Sequence, residues 1–214
     1  VLMTASDNQD NPLRDPGNWQ PQTALVHGGT LRSGFGEMSE AVFLTQGYAY
    51  DNAEQAEARF KDEKSGFIYS RYANPTVAMF EERMRAFEGA EAARATASGM
   101  AAVSSSLLCH LKAGDHIVAA KALFGSCRWV VETLCPKFGI EATLVHGPDL
   151  AQWESAIRPN TRAVFFETPA NPTNRLVDIA MARQVADACG GPDHQVLVAV
   201  DNTFLGPLWQ HPLK

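Results

Sequence analysis

The segment TRAVFFETPANPTNRLVDIAMARQVADACGGPDHQVLVAVDNT, residues 161–203, decides the fold. RAVFFE (162–167) reads as a strand, DIAMARQVADACG (178–190) as a helix ending at glycine, and QVLVAV (195–200) as a second strand. AVFF and VLVAV are unbroken apolar runs, the pattern of strands covered on both faces of a parallel sheet. A strand, a helix of about ten residues and another strand make a βαβ unit.

The alternation extends upstream. HIVAA (116–120) and IEATLV (140–145) read as strands, and SCRWVVETLCPKFG (126–139) and DLAQWESAI (149–157) as helices. A helix is expected from Ser98 onward in SGMAAVSSSLLCHL. In the one before it, Asn74 caps, Pro75 takes the first position, and Val77, Phe80, Met84 and Phe87 recur at helical spacing until Gly89. Asp51 to Glu54 has the form of a capping box with Asp51 as N-cap, opening a short helix to about Phe60. The first twenty-odd residues are polar, contain Pro12, Pro16, Gly17 and Pro21, and read as an arm. The expected fold is therefore α/β: a mostly parallel central sheet with helices on both faces, preceded by an N-terminal arm.

With 45% apolar and 20% charged residues, the composition is that of a soluble globular protein. A net charge of −6 argues against nucleic-acid binding. No apolar run reaches the roughly 18 residues of a membrane span, and the N-terminus lacks the basic and apolar regions of a signal peptide. Cys109, Cys127, Cys135 and Cys189 show neither CxxC nor zinc spacing; three of them sit in apolar or helical patterns, so buried, reduced thiols without a metal are expected. The cytoplasm is the expected compartment.

In open α/β sheets ligands bind beyond the carboxyl ends of the strands. The residues placed there are Phe124 after HIVAA, Glu167 and Asn171 after AVFF, and Asp201 and Thr203 after VLVAV. Singly, each has an ordinary reading as turn, cap or core. Together with Ser98, Gly99 and Met100 they describe a cradle for one phosphate, because free N–H groups at a helix start favour an anion. No GxGxxG follows any strand and no GxxxxGK[ST] occurs, so a dinucleotide or P-loop site is disfavoured. In an extended YSR segment, Tyr69 and Arg71 share one face and can clamp the same phosphate. Pyridoxal phosphate suits this set. Asp201 would keep a pyridine nitrogen protonated, Asn171 would donate to the ring oxygen, and Phe124 would stack on the ring for about 0.5–1.5 kcal/mol.

YSRYANPT (69–76), ATASGMAA (95–102), ETPANPTNRLVDI (167–179) and VAVDNTF (198–204) occur in this order, and in them the chain resembles the pyridoxal-phosphate enzymes of cysteine and methionine metabolism. The resemblance runs from about residue 23 to 214. It implies a fold-type I pyridoxal-phosphate transferase. Residues 1–60 would form an arm and short helix that contribute to the oligomer and a neighbouring active site. Residues 61–214 would be the N-terminal part of the large cofactor-binding domain. It also implies that Tyr69 and Arg71 reach the phosphate in the neighbouring subunit of an active dimer, within a dimer of dimers. Ser98, Gly99 and Met100 would bind the phosphate of their own subunit. Asp201 would hold the pyridine nitrogen, with Thr203 beside the ring, and Glu167 would support the Asn171 network. Asp201 and Tyr69 are the catalytic candidates present. The family's Schiff-base lysine and its arginine for the substrate carboxylate are expected beyond residue 214.

ALFGSC and ETPANPTNRLVDI are most similar to the O-succinylhomoserine sulfhydrylase branch. The implied reaction is γ-replacement on an O-acyl-homoserine with sulfide, giving homocysteine for methionine biosynthesis. Cystathionine γ-synthase and the methionine and cystathionine γ-lyases are alternatives, and a non-catalytic paralogue is another. Phe124 stands where many relatives carry a stacked tyrosine. It keeps the stacking surface and lacks the hydroxyl that could move a proton.

Overall fold

The computed structural model describes residues 19–190 and 195–213. The chain divides into two compact units, one ending at Ala95 and the other running Thr96–Pro212, with Leu213 assigned to the first. That division falls inside the 61–214 segment. The arm expected over the first twenty-odd residues lies outside the described residues as far as residue 18, and its end is helical: α1 spans Pro21–His27. Among the described residues no helix is long and apolar enough to cross a membrane.

The first unit also holds α2 (Ala53–Phe60) and α3 (Pro75–Glu88). The N-cap of α2 is Asn52 rather than Asp51: its side chain accepts from Gln55 N at 2.8 Å. Gln55 reaches back to accept from Asp51 N and to donate to Asp51 Oδ2, so the reciprocal bond goes to the residue before the cap, and Gln55 rather than Glu54 makes it. The α3 boundaries are as expected. Asn74 accepts from Thr76 N, Pro75 opens the helix, and Gly89 closes it at φ 65, a conformation glycine adopts without penalty. The apolar stripe is less covered than the spacing suggests. Met79 is buried, whereas Val77 and Phe80 are exposed.

The second unit is a four-stranded sheet in the order β2–β1–β3–β4, every neighbouring pair parallel. Its elements in chain order are α4 (Gly99–Leu108), β1 (His116–Ala120), α5 (Gly125–Trp129), α6 (Cys135–Lys137), β2 (Glu141–Val145), α7 (Leu150–Ala156), β3 (Thr161–Glu167), α8 (Ile179–Cys189), β4 (Leu197–Asp201) and α9 (Gly206–Trp209). Strand side chains alternate between two cores. Ile117, Ala119, Ala163 and Phe165 pack with Leu107 of α4 and with Cys127, Val131 and Cys135. Val118, Ala120, Val164 and Phe166 pack with Trp153 of α7 and with Ala182 and Val185 of α8. The Trp153 ring meets Phe166 edge-on at 6.0 Å and donates to Gly147 O, so its one polar atom is satisfied.

The helix expected over 126–139 is interrupted. A π-helical turn, Val130–Leu134, joins α5 to α6. Pro136 has no N–H for the carbonyl four residues back and its ring would crowd it, which accounts for the wider turn at that point.

Candidate functional site

Strand order locates the site. From β1 the chain crosses to β2 on one side, then returns to β3 and goes on to β4 on the other, so the connections that leave the carboxyl ends of the paired strands β1 and β3 run to opposite sides. That is the switch point at which open α/β sheets leave a crevice. Two side chains face it from one level of the sheet: Glu167 and Asp201 are register partners in the β3–β4 ladder. Both share the face of Ala163, Phe165, Leu197 and Ala199, the α4 side.

Glu167 is only 3% exposed and ties two loops together. Its Oε2 accepts from Phe124 N at 2.7 Å, and its carboxylate also accepts from the Asn171 backbone N–H. Burial pushes its carboxyl up, the two backbone donors oppose that, and the charge of Asp201 adds to the rise. Asp201 Oδ1 accepts from Thr203 N at 3.0 Å and from Thr203 Oγ1 at 2.5 Å. Its Oδ2 faces Cys127 Sγ at 3.8 Å. Cys127 is 2% exposed; burial first, then the Asp201 and Glu167 charges, push its thiol up to about 12.

These groups open onto a cleft of 780 Å³. Eight of the ten residues singled out in the sequence line it: Ser98, Gly99, Met100, Phe124, Glu167, Asn171, Asp201 and Thr203. At the start of α4, Ser98 Oγ accepts from Ala101 N and Ser98 O from Ala102 N, which leaves the N–H groups of Gly99 and Met100 outside the helix's own bonds. A Cβ at Gly99 would meet no atom within 4 Å, so packing does not demand the glycine; it keeps the space before those N–H groups clear. The helix dipole favours an anion there. Phe124, 41% exposed, offers an apolar ring to the same cleft.

Anion donors on one wall, a carboxylate for a cationic ring nitrogen, and an apolar ring surface fit pyridoxal phosphate. The volume falls within the roughly 300–1,000 Å³ usual for small-molecule sites.

Tyr69 and Arg71 belong to the first unit. Their segment is a turn rather than an extended strand: Tyr72 N and Ala73 N both donate to Tyr69 O. The two side chains are neighbours nonetheless, with the Arg71 guanidinium 5.7 Å from the Tyr69 ring and 4.5 Å from the Tyr72 ring. Tyr69 and Tyr72 are exposed. The turn is pinned to residues 43–48. Asn74 donates to Phe43 O, Ser70 N donates to Gln46 O, and Ser70 Oγ donates to Thr45 O.

Sequence reasoning missed the contact of Cys127 with Asp201. Helical spacing placed the thiol in the core, and no spacing rule relates positions in an early helix and a late strand. It also missed the two cis peptide bonds, Thr168–Pro169 and Asn171–Pro172, in the loop that carries Asn171.

Residues 22–214 match the family described as Cys/Met metabolism PLP-dependent enzyme. An O-succinylhomoserine sulfhydrylase of Mycobacterium tuberculosis is 50% identical over 208 residues, covering 97% of this chain and 50% of that protein. An L-methionine gamma-lyase of Fusobacterium nucleatum is 41% identical over 192 residues, covering 90% of this chain and 48% of that one. A crystal structure from Campylobacter jejuni, provisionally named an O-acetylhomoserine (thiol)-lyase and containing a pyridoxyl-lysine phosphate, superposes with a TM-score of 0.84 at 30% identity. It is covered over 47% of its length, and 91% of this chain is matched. The chain spans about half the length of the curated relatives it matches.

Proposed function

We propose, from the premise that this chain belongs to the Cys/Met metabolism PLP-dependent enzymes, that it is the cofactor-binding part of an O-succinylhomoserine sulfhydrylase. The observation that carries this reading is the cleft at the β1/β3 switch point, where the start of α4 and the Asp201 carboxylate line one space. When bound, pyridoxal phosphate supplies the electron sink for removing protons α and β to a carboxylate.

The chain's own residues have separable tasks. Gly99 N–H, Met100 N–H and Ser98 hold the phosphate. Asp201 holds a proton on the ring nitrogen, because a carboxylate beside it favours the charged form. Thr203, donating twice to Oδ1, turns that carboxylate toward the cleft. Asn171 donates to the ring oxygen, and Phe124 covers a ring face and excludes water. Glu167 fixes the backbones of Phe124 and Asn171 relative to each other.

Tyr69 and Arg71 complete the phosphate site of a second copy in an active dimer, which pairs again into a tetramer. Their exposure on an anchored turn supports that assignment. Residues 1–60 act as arm and short helix at that junction, and 61–214 belong to the cofactor domain. The compartment is the cytoplasm. The product is homocysteine, made from O-succinylhomoserine and sulfide.

Phe124, with no hydroxyl to move a proton, supports replacement over lyase chemistry. Assay of the full-length protein with O-succinylhomoserine tests this. Homocysteine formed with sulfide, well above cystathionine formed with cysteine, is expected. Equal rates with both nucleophiles, or ketobutyrate alone, would refute the sulfhydrylase reading.

A further inference from the structure

Asp201 is held asymmetrically. Oδ1 takes both donors of Thr203, two residues along the same chain. Among the described residues, the hydrogen-bond partner of Oδ2 from another element is the Cys127 thiol of α5, at 3.8 Å. The terminal torsion of an aspartate is broad, so bonds to one oxygen alone leave the plane of the group loosely set. We infer that Cys127 is a positioning residue: its S–H donates to Oδ2 and fixes the plane in which Asp201 meets a ligand in the cleft.

The chemistry favours a thiol in that role. A sulfhydryl is a weak donor, so it orients Oδ2 without consuming its accepting capacity. The thiol keeps its proton across the physiological range, since burial and two neighbouring carboxylates disfavour the thiolate. Met100 Sδ lies 4.0 Å from Cys127 Sγ, and Met100 belongs to the proposed phosphate cradle. Cys127 therefore touches both ends of the site. The inference rests on the cofactor reading only for what Asp201 orients toward; the thiol–carboxylate pair stands without it.

The infrared S–H stretching band of the full-length protein, recorded without added cofactor, tests the pair. The Cys127 band is identified as the one lost in Cys127→Ser, or in Cys127→Ala if the serine variant does not fold. It is expected to move to higher frequency in Asp201→Asn, where a neutral amide replaces the carboxylate. An unmoved band overturns the inference. Pyridoxal phosphate binding, followed by equilibrium dialysis, tests the consequence. Cys127→Val, which fills the space without a donor, is expected to bind about threefold to tenfold more weakly, and Cys127→Ser within about twofold of wild type. Equal binding by Cys127→Val and wild type would also overturn it. No binding by wild type would instead refute the cofactor reading, with the band shift still deciding the pair.

Discussion

The Phe124 backbone N–H donates to Glu167 Oε2 at 2.7 Å, joining the loop after the first strand to the end of the third across the switch point. One buried carboxylate thereby sets the distance between the candidate stacking residue and the strand end that leads to Asn171.

Removing that carboxylate is expected to do more than removing its charge. Glu167→Ala leaves the Phe124 and Asn171 donors without an acceptor and should cost about 1–3 kcal/mol in urea unfolding. Glu167→Gln keeps an acceptor. Because the folded carboxyl is raised, its contribution is full below about pH 4.3 and lost as pH rises through the folded value. That part of the pH dependence should vanish in Glu167→Gln. An unchanged slope would show that another group carries it.

His116 predicts the opposite sign. It is fully buried, with its ring nitrogens 2.8 Å from Thr161 Oγ1 and 2.8 Å from Thr143 Oγ1. Burial, then the Arg158 charge, holds its pKa down, with Glu141 opposing. Its contribution is thus complete above about pH 6.5 and lost as pH falls toward the lowered folded value. His116→Gln should flatten the stability profile below about pH 6.5. Equal acid sensitivity in variant and wild type would count against a neutral folded imidazole.

Asn74 is more than a helix cap. It accepts from Thr76 N, donates to Phe43 O at 2.9 Å and Ser70 Oγ at 3.0 Å, and is 9% exposed. Asn74→Ala should cost about 1–3 kcal/mol. Asn74→Asp retains the cap but cannot donate to Phe43 O, so it should be destabilised as well. A fully stable aspartate variant would reduce the residue to its cap.

Asp201→Asn keeps the shape of the side chain and removes its charge. Pyridoxal phosphate should still bind, while turnover by the full-length enzyme should fall about tenfold to hundredfold, the worth of one charge-assisted hydrogen bond. Full activity in that variant would take Asp201 out of the chemistry.

Arg71→Ala should weaken pyridoxal phosphate retention by a comparable factor, measured by dialysis of the full-length protein. Unchanged retention would dismiss the phosphate clamp.

Strand order apart, much of the second unit was legible. Short continuous apolar runs such as HIVAA and AVFF, too short for a buried helix and bounded by turn residues, read as strands buried on both faces, and all four strands form. Caps at Ser98, Asp149 and Asp178 begin helices where short polar side chains precede apolar repeats. The errors were local. Asn52 displaced Asp51 because adjacent residues can both cap, and only backbone geometry chooses between them. Pro136 gave no warning of a π turn, since proline signals disruption without specifying its form. YSR formed a turn because Ser70 bonds to the 45–46 backbone, a contact twenty-five residues distant.

The sequence alone determined the element types, the parallel class of the sheet and the segments that end at its carboxyl edge. These follow from periodicity and capping, which act over a few residues. Tertiary structure decided that the connections after β1 and β3 part at the site, that Glu167 and Asp201 stand at one level, and that Cys127 meets Asp201. Each depends on register and crossover between distant segments. Those are set by the joint packing of two cores, which no local pattern encodes.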